Sequence, residues 1–329
     1  MSNGRKTPML KRLVIGFAGA SAIAGTGLAA FSWNIARKIE AALPPSGRFL
    51  PVDGARMHYT DIGSGPAIVL IHGLGGQLLN FPASGLAQLL GDYRVIAIDR
   101  PGSGYSTRPL TASATLRSQA ATLAKVIRGL GLQKPLVVGH SLGGAVALTL
   151  ALEHPDCVGG LALISPLTQL EQSVPKAFSG LAVRSRMLRF LIGWTIAIPL
   201  SMRGSRDTLN FVFGPDPVPA NFATEGGGML GLRPKSYYAA SSDLAAVNDD
   251  LPGVIARYAE LKIPAGILHG TADRVLNHAA HGKVMVGKVP GLELELVEGG
   301  GHMTPITAPD RTIAFIRRMA QRVAAQQRG

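Results

Sequence analysis

Apolar residues along this chain follow two rhythms. Ala67–Ile71, Arg94–Ile98, Leu136–Val138, Leu161–Ile164, Ile263–Leu268 and Leu292–Val297 are short runs, apolar almost without a break. In Leu86–Leu90, Leu116–Leu130, Ala145–Leu152, His278–Lys288 and Ala308–Ala325, apolar residues instead return at helical spacing. The first rhythm predicts strands buried on both faces, the second helices. Strands that alternate with helices and have no polar face imply an α/β fold with a mostly parallel sheet covered on both sides. Arg56–Asp61 differs, because it alternates and runs into Gly63-Ser64-Gly65-Pro66. That pattern predicts a strand ending in a tight reversal.

The alternation stops between Leu167 and Leu251. This stretch reads as helical or irregular, strongly apolar on part of Arg184–Leu200 and rich in Gly and Pro from Gly214 to Pro234. It is too long for a connecting loop. An inserted helical cap is expected instead, above the carboxyl ends of the strands, where open α/β sheets bind ligands. The expected organisation is a basic segment, apolar helix and linker over 1–45, half of the core over 46–166, the cap over 167–251 and the other half of the core over 252–329.

Arg5, Lys6, Lys11 and Arg12 precede Leu13–Trp33, which carries no charge. At 1.5 Å per residue this transmembrane candidate is about 30 Å long, one hydrocarbon thickness. The basic residues before it favour a cytoplasmic amino terminus and a body on the extracytoplasmic side. An uncleaved signal-anchor is expected, with export after cleavage near Gly27/Ala29 as the alternative.

With 47% hydrophobic and 16% charged residues, the 329-residue chain is not of the disordered class. Its net charge of +13 raises the question of nucleic acid. The basic residues gather near the ends, however, as with Arg311, Arg317, Arg318, Arg322 and Arg328, and no basic run interleaves with aromatics. No nucleic-acid partner is expected; a solvated face or anionic lipid headgroups account for the charge. A single cysteine, Cys157, excludes an internal disulfide or a CxxC site. No His pair has ligand spacing with a third partner, so neither metal nor cofactor is expected.

Gly139-His140-Ser141-Leu142-Gly143 fits Gly-x-Ser-x-Gly, a weak pattern by itself in a chain with 41 glycines. Its setting strengthens it: an apolar strand, Leu136-Val137-Val138, runs directly into it, and a helix of small residues follows. A serine at such a turn sits on strained backbone with its hydroxyl pushed outward. Side chains at Gly139 and Gly143 would strike the adjoining elements.

Here the chain resembles the α/β-hydrolase superfamily, specifically its capped, esterase- and lipase-like serine hydrolases. Ile71-His72-Gly73-Leu74-Gly75-Gly76, the run from Asp99-Arg100-Pro101-Gly102 to Ser106, His269-Gly270-Thr271-Ala272-Asp273 and the loop Gly299–His302 also carry the likeness. These motifs keep the family's order over residues 49–325. The resemblance implies oxyanion donors at Leu142 and Leu74, and supporting roles for His72, Gly73, His140, Gly139 and Gly143. Relatives that are dehalogenases or epoxide hydrolases use an aspartate where this chain has Ser141. Carbon–carbon bond hydrolases and cofactor-free haloperoxidases keep serine.

A serine hydroxyl becomes nucleophilic when a neutral imidazole takes its proton and a carboxylate holds that imidazole's tautomer. Of the eight histidines, His302 alone lies in a Gly-rich loop beyond the last strand. Asp273 follows a strand and precedes His302, giving the order Ser, Asp, His. Asp99 is the second candidate acid, and Asp249 or Asp250 the third. The expected activity is hydrolysis of carboxylic esters, lipophilic or acylglycerol-like, through an acyl-enzyme on Ser141. Carbon–carbon bond hydrolysis and haloperoxidase-like chemistry are the alternatives, and a non-catalytic anchored binding protein is a minor one.

Overall fold

Each apolar run expected to be a strand is one. The computed structural model describes residues 7–81, 91–109 and 111–328, residues 7–22 through their backbone alone. The strands β3 (Ala67–Ile71), β4 (Arg94–Ile98), β5 (Leu136–His140), β6 (Gly160–Ile164), β7 (Ala265–Gly270) and β8 (Glu293–Val297) pair in parallel. The alternating segment is β2 (Ala55–Ile62), antiparallel both to β4 and to the edge strand β1 (Arg48–Val52). The sheet runs β1-β2-β4-β3-β5-β6-β7-β8. β1 was not expected as a strand, because Pro51 interrupts its pattern. At an edge, however, a missing N–H costs no ladder bond.

The unbroken apolarity of the strands has a direct cause. Val69, Ile71, Ile96, Ile98, Val137 and Leu163 face one layer, with α2 (Leu116–Gly129) and α3 (Leu142–Glu153). Ile68, Leu70, Val95, Ala97, Leu136 and Val138 face the other, with the closing helix α7 (Pro309–Arg328). Successive residues therefore both enter a core, each side chain contributing about 1.5–3 kcal/mol on burial. α3 is buried at every position from Leu142 to Leu152, so it shows no polar face.

Between β6 and β7 lie α4 (Arg186–Trp194), α5 (Ala197–Phe213) and α6 (Pro234–Ile255). The end of α6 leaves the cap region and packs Val247, Leu251 and Val254 into the core beside α2 and α3. One expected helix differs. His278–Lys288 is only a helical turn, His278–His281, and a 3-10 turn, Lys283–Met285. The break falls at Gly282, where a Cβ would lie 2.7 Å from His278 O. Leu86–Leu90 lies outside the described residues.

The amino-terminal helix α1 (Thr7–Ala42) contains the uncharged span Leu13–Trp33. The side chains of 13–22 lie outside the described residues, and among the described residues no helix is long and apolar enough to cross a membrane. The far end of that span is not free. Ser32 is buried and donates to Thr195 O of the cap, Ile39 is buried, and Glu40 pairs with Arg233 and Lys235. Tyr105 OH also donates to Leu43 O.

Candidate active site

Ser141 joins β5 to α3 with φ +54°, a conformation that costs a non-glycine residue about 1–3 kcal/mol. Its neighbours must be glycines. A Cβ on Gly139 would lie 2.6 Å from Gly143 O, and one on Gly143 would lie 2.3 Å from Ile71 O. The Ser141 carbonyl accepts from Gly144 N and Leu167 N, which ties the start of the cap segment to the turn.

His302 Nδ1 lies 2.8 Å from Asp273 Oδ2, and Oδ1 of the same carboxylate accepts from Val275 N and Leu276 N. His269 Nε2 is also 3.2 Å from Asp273 Oδ2. Burial opposes ionisation of Asp273. The charge of His302 and the hydrogen bonds from His269, His302 and Leu276 outweigh it, and the carboxyl is held well below the usual range. A carboxylate so fixed keeps the Nδ1–H tautomer of His302, with Nε2 free to accept a proton. His140 holds the histidine loop from below: its Nε2 is 3.0 Å from His302 O, and the two rings lie 4.9 Å apart.

Ser141 is 8% exposed, His302 3% and Asp273 9%. Among the described residues neither Ser141 Oγ nor His302 Nε2 has a hydrogen-bond partner, so the hydrogen-bonded chain runs from Asp273 to His302 and stops there. Such bonds are often long before substrate arrives.

The loop after β3 is clamped by a residue that the sequence marked only as part of a run shared with the family. Arg100, fully buried, donates to His72 O (2.9 Å), Gly73 O (2.9 Å), Gln119 Oε1 (2.6 Å) and Asp243 Oδ2 (2.7 Å). Its backbone N–H donates to His72 Nε2, so Nδ1 of His72 carries the proton and donates to Gly73 O. Burial, then the Arg100 charge, lowers the pKa of His72 to about 4 and keeps it neutral. The Gly73 carbonyl is thus gripped by a guanidinium and an imidazole. Because a peptide is planar, the Leu74 N–H is fixed pointing the opposite way. Gly73 has no room for a Cβ, which would lie 2.9 Å from Ser141 Cβ. Leu142, first in α3, carries one of the N–H groups that a helix start leaves without an intrahelical acceptor.

The other candidate acids are engaged elsewhere. Asp99 binds His58 Nδ1 at 2.7 Å and accepts from Leu78 N and Tyr105 N. Asp250 accepts from Arg117 N, and Asp249 lines a separate cleft. Sequence reasoning missed His269 as a second partner of Asp273, although its place at a strand end four residues earlier was a usable signal. It had no local signal for Asp243 acting on Arg100 from α6.

The buried neutral histidines predict acid sensitivity. His72 is lowered to about 4, and His140 to about 3 by burial and then the charge of His302, against an ordinary 6.5. Between those values the unfolded chain binds protons that the folded one refuses. Stability is therefore complete above pH 6.5 and falls as pH drops towards 4. The contribution of Asp273, whose pKa is lowered, persists through that window and fades only below about 3.8. Thermal unfolding at pH 7, 5.5 and 4.5 should show a steadily falling Tm; a flat profile would contradict this account.

Residues 66–190 match the family model described as alpha/beta hydrolase fold. Over 121 residues the chain is 42% identical to the dihydrolipoyllysine-residue acetyltransferase component of an acetoin cleaving system from Cupriavidus necator. That match takes in 36% of this chain and only 32% of the other protein's length. A 2-hydroxy-6-oxononadienedioate/2-hydroxy-6-oxononatrienedioate hydrolase from Burkholderia vietnamiensis is 29% identical over 274 residues, 80% of this chain and 91% of that one. Among solved structures, an esterase from Rhodococcus sp. ECU1013 superposes with a TM-score of 0.63 at 26% identity, covering 84% of this chain and 98% of that one.

Proposed function

The chain belongs to the α/β-hydrolase superfamily, and on this scaffold we propose that it is a serine hydrolase of carboxylic esters. The observation that carries the reading is the Asp273–His302 pair, whose histidine loop is tied through the His302 carbonyl to His140, the residue before Ser141 on its strained turn. In the proposed reaction the cap opens, substrate enters, and Ser141 Oγ attacks the carbonyl as His302 Nε2 takes its proton. The developing oxyanion is held by the N–H groups of Leu142 and Leu74. His302 then protonates the departing alcohol, and a water activated by the same imidazole frees the acid. Asp273 keeps the tautomer throughout.

Lipophilic or acylglycerol-like esters are the proposed substrates. Supporting this are the uncharged Leu13–Trp33 span and the exposed apolar residues of the cap, among them Met187, Phe190, Leu191 and Leu200. We further propose that α1 anchors the chain with the hydrolase body on the extracytoplasmic side. Carbon–carbon bond hydrolysis is the second reading, favoured by the likeness to the dienedioate hydrolase. Arg184, Arg186 and Arg189 do not supply a carboxylate subsite for it at the nucleophile, because the cleft they line includes neither Ser141 nor His302.

A membrane-impermeant fluorophosphonate applied to intact spheroplasts is expected to modify Ser141, mapped by peptide mass spectrometry. Failure to modify purified protein would count against a serine hydrolase; failure only in spheroplasts would count against the proposed topology. On a series of esters, rates should rise with acyl length. A steep preference for short, soluble acyl chains would remove the lipid assignment, and turnover of dienone acids without esters would favour the second reading.

A further inference from the structure

Away from Ser141, a cleft of about 680 Å³ lies between Gly102, Ser106 to Pro109 and Ala112 to Ala114 on one side and helices α4 and α6 on the other. Cavities of this size hold small ligands. Its walls combine positive charge with aromatic surface: Arg184, Arg186 and Arg189 together with Phe190, Trp194 and Tyr238. Asp249 is the one acid among its lining residues, and none of the three arginines has a carboxylate within 4 Å among the described residues.

Arg189 is the decisive group. It is 95% buried, since only 5% of it is exposed. Its guanidinium donates to neutral acceptors alone: Ser241 Oγ at 3.1 Å, Ser242 Oγ at 2.9 Å and the carbonyls of Val183 and Arg184. The Tyr238 ring lies 5.6 Å away. Its hydrogen bonds are thus met by neutral groups while its charge stays uncompensated, which an anion in the cleft would offset. Arg184 and Arg186, exposed at the start of α4, add two more cations at the same cleft.

The occupant must also suit apolar surroundings. Phe190 and Trp194 line the cleft, and Met187, Leu188 and Leu191 carry the exposed apolar surface of α4 beyond it. Beside α4 runs α1, joined to it through Ser32 and Thr195. A soluble anion would use the arginines and leave this surface wet.

We propose that the cleft is a binding site for the anionic headgroup of a lipid, with the phosphate held by Arg184, Arg186 and Arg189 and the acyl chains laid along the apolar face of α4. The proposal is independent of ester hydrolysis, because the site includes none of the residues assigned to that reaction. Bound lipid would seat the cap against an anionic membrane surface, where juxtamembrane cations are drawn.

The chain has two tryptophans, Trp33 and Trp194. In a Trp33→Phe background Trp194 reports on the cleft alone. The full chain in nonionic micelles is titrated with phosphatidylglycerol, with phosphatidylcholine of the same acyl length, and with inorganic phosphate. Saturable change in Trp194 fluorescence is expected with phosphatidylglycerol, about tenfold weaker with phosphatidylcholine. The double variant Arg184→Ala/Arg186→Ala, altered only at exposed positions, should keep the parental Tm and bind phosphatidylglycerol about tenfold more weakly. Equal binding of the two lipids, or an unchanged affinity in the double variant, overturns the proposal. Saturation by inorganic phosphate at concentrations matching the lipid overturns the lipid as source and makes this a soluble-phosphate site.

Discussion

Ser141→Ala and His302→Ala are each expected to lower kcat by about a million-fold, and the double variant to fall no further. The reason is that the two groups perform one act. Without the imidazole the hydroxyl keeps its proton, and without the hydroxyl the imidazole has nothing to deprotonate. What survives is the oxyanion pocket and substrate binding, which neither substitution touches. Asp273→Asn should cost about ten-thousand-fold. An amide that presents its NH2 to Nδ1 favours the tautomer with the proton on Nε2, where the base must be empty. His269 Nε2, 3.2 Å from the same oxygen, cannot replace the carboxylate, because it is itself a donor and also serves Leu276 O at 2.9 Å. The measurement is kcat on one ester under single-turnover conditions. Losses that add in the double variant would mean that Ser141 and His302 do not act together, and a loss under a hundred-fold for His302→Ala would remove it as the base.

The parts of this site that lie in local runs of sequence were readable, and the parts made by distant contacts were not. Strands β3 to β7 announce themselves because Ile68 and Val69, or Val137 and Val138, enter opposite cores, leaving no polar position to obscure the run. The turn at Ser141 is equally local, since Gly139 and Gly143 meet backbone within a few residues or on the adjacent strand. β1 stayed hidden because an edge strand tolerates Pro51, so its pattern is not that of a central strand. His278–Lys288 misled because helical spacing says nothing of the backbone path at Gly282. The Arg100–Asp243 pair, 143 residues apart, left no local trace: a carboxylate on a helix is ordinarily solvated, and only the fold brings this one to a buried guanidinium.

That pair carries the largest stability effect expected in the molecule. Asp243, fully buried, bridges Arg100 at 2.7 Å and Arg108 at 2.7 Å. Asp243→Ala leaves a buried cation unpaired and should cost about 3–5 kcal/mol by urea unfolding. A second effect follows from geometry. Arg100 Nη2 holds Gly73 O, and with it the direction of the Leu74 N–H proposed to receive the oxyanion. Loosening that peptide should lower kcat by about ten- to a hundred-fold with little change in KM, less than loss of a whole oxyanion donor. The double variant Arg100→Met/Asp243→Leu separates the two effects. Replacing both charges with apolar groups should restore most of the stability, because the fully buried Arg100 cation is removed together with its partner. Arg108, the other partner of Asp243, lines the cleft and keeps its bond to Pro101 O. Activity should stay low, since Gly73 O has lost its guanidinium. Recovery of kcat together with stability would show that Arg100 serves packing alone, and that His72 suffices to aim the Leu74 N–H.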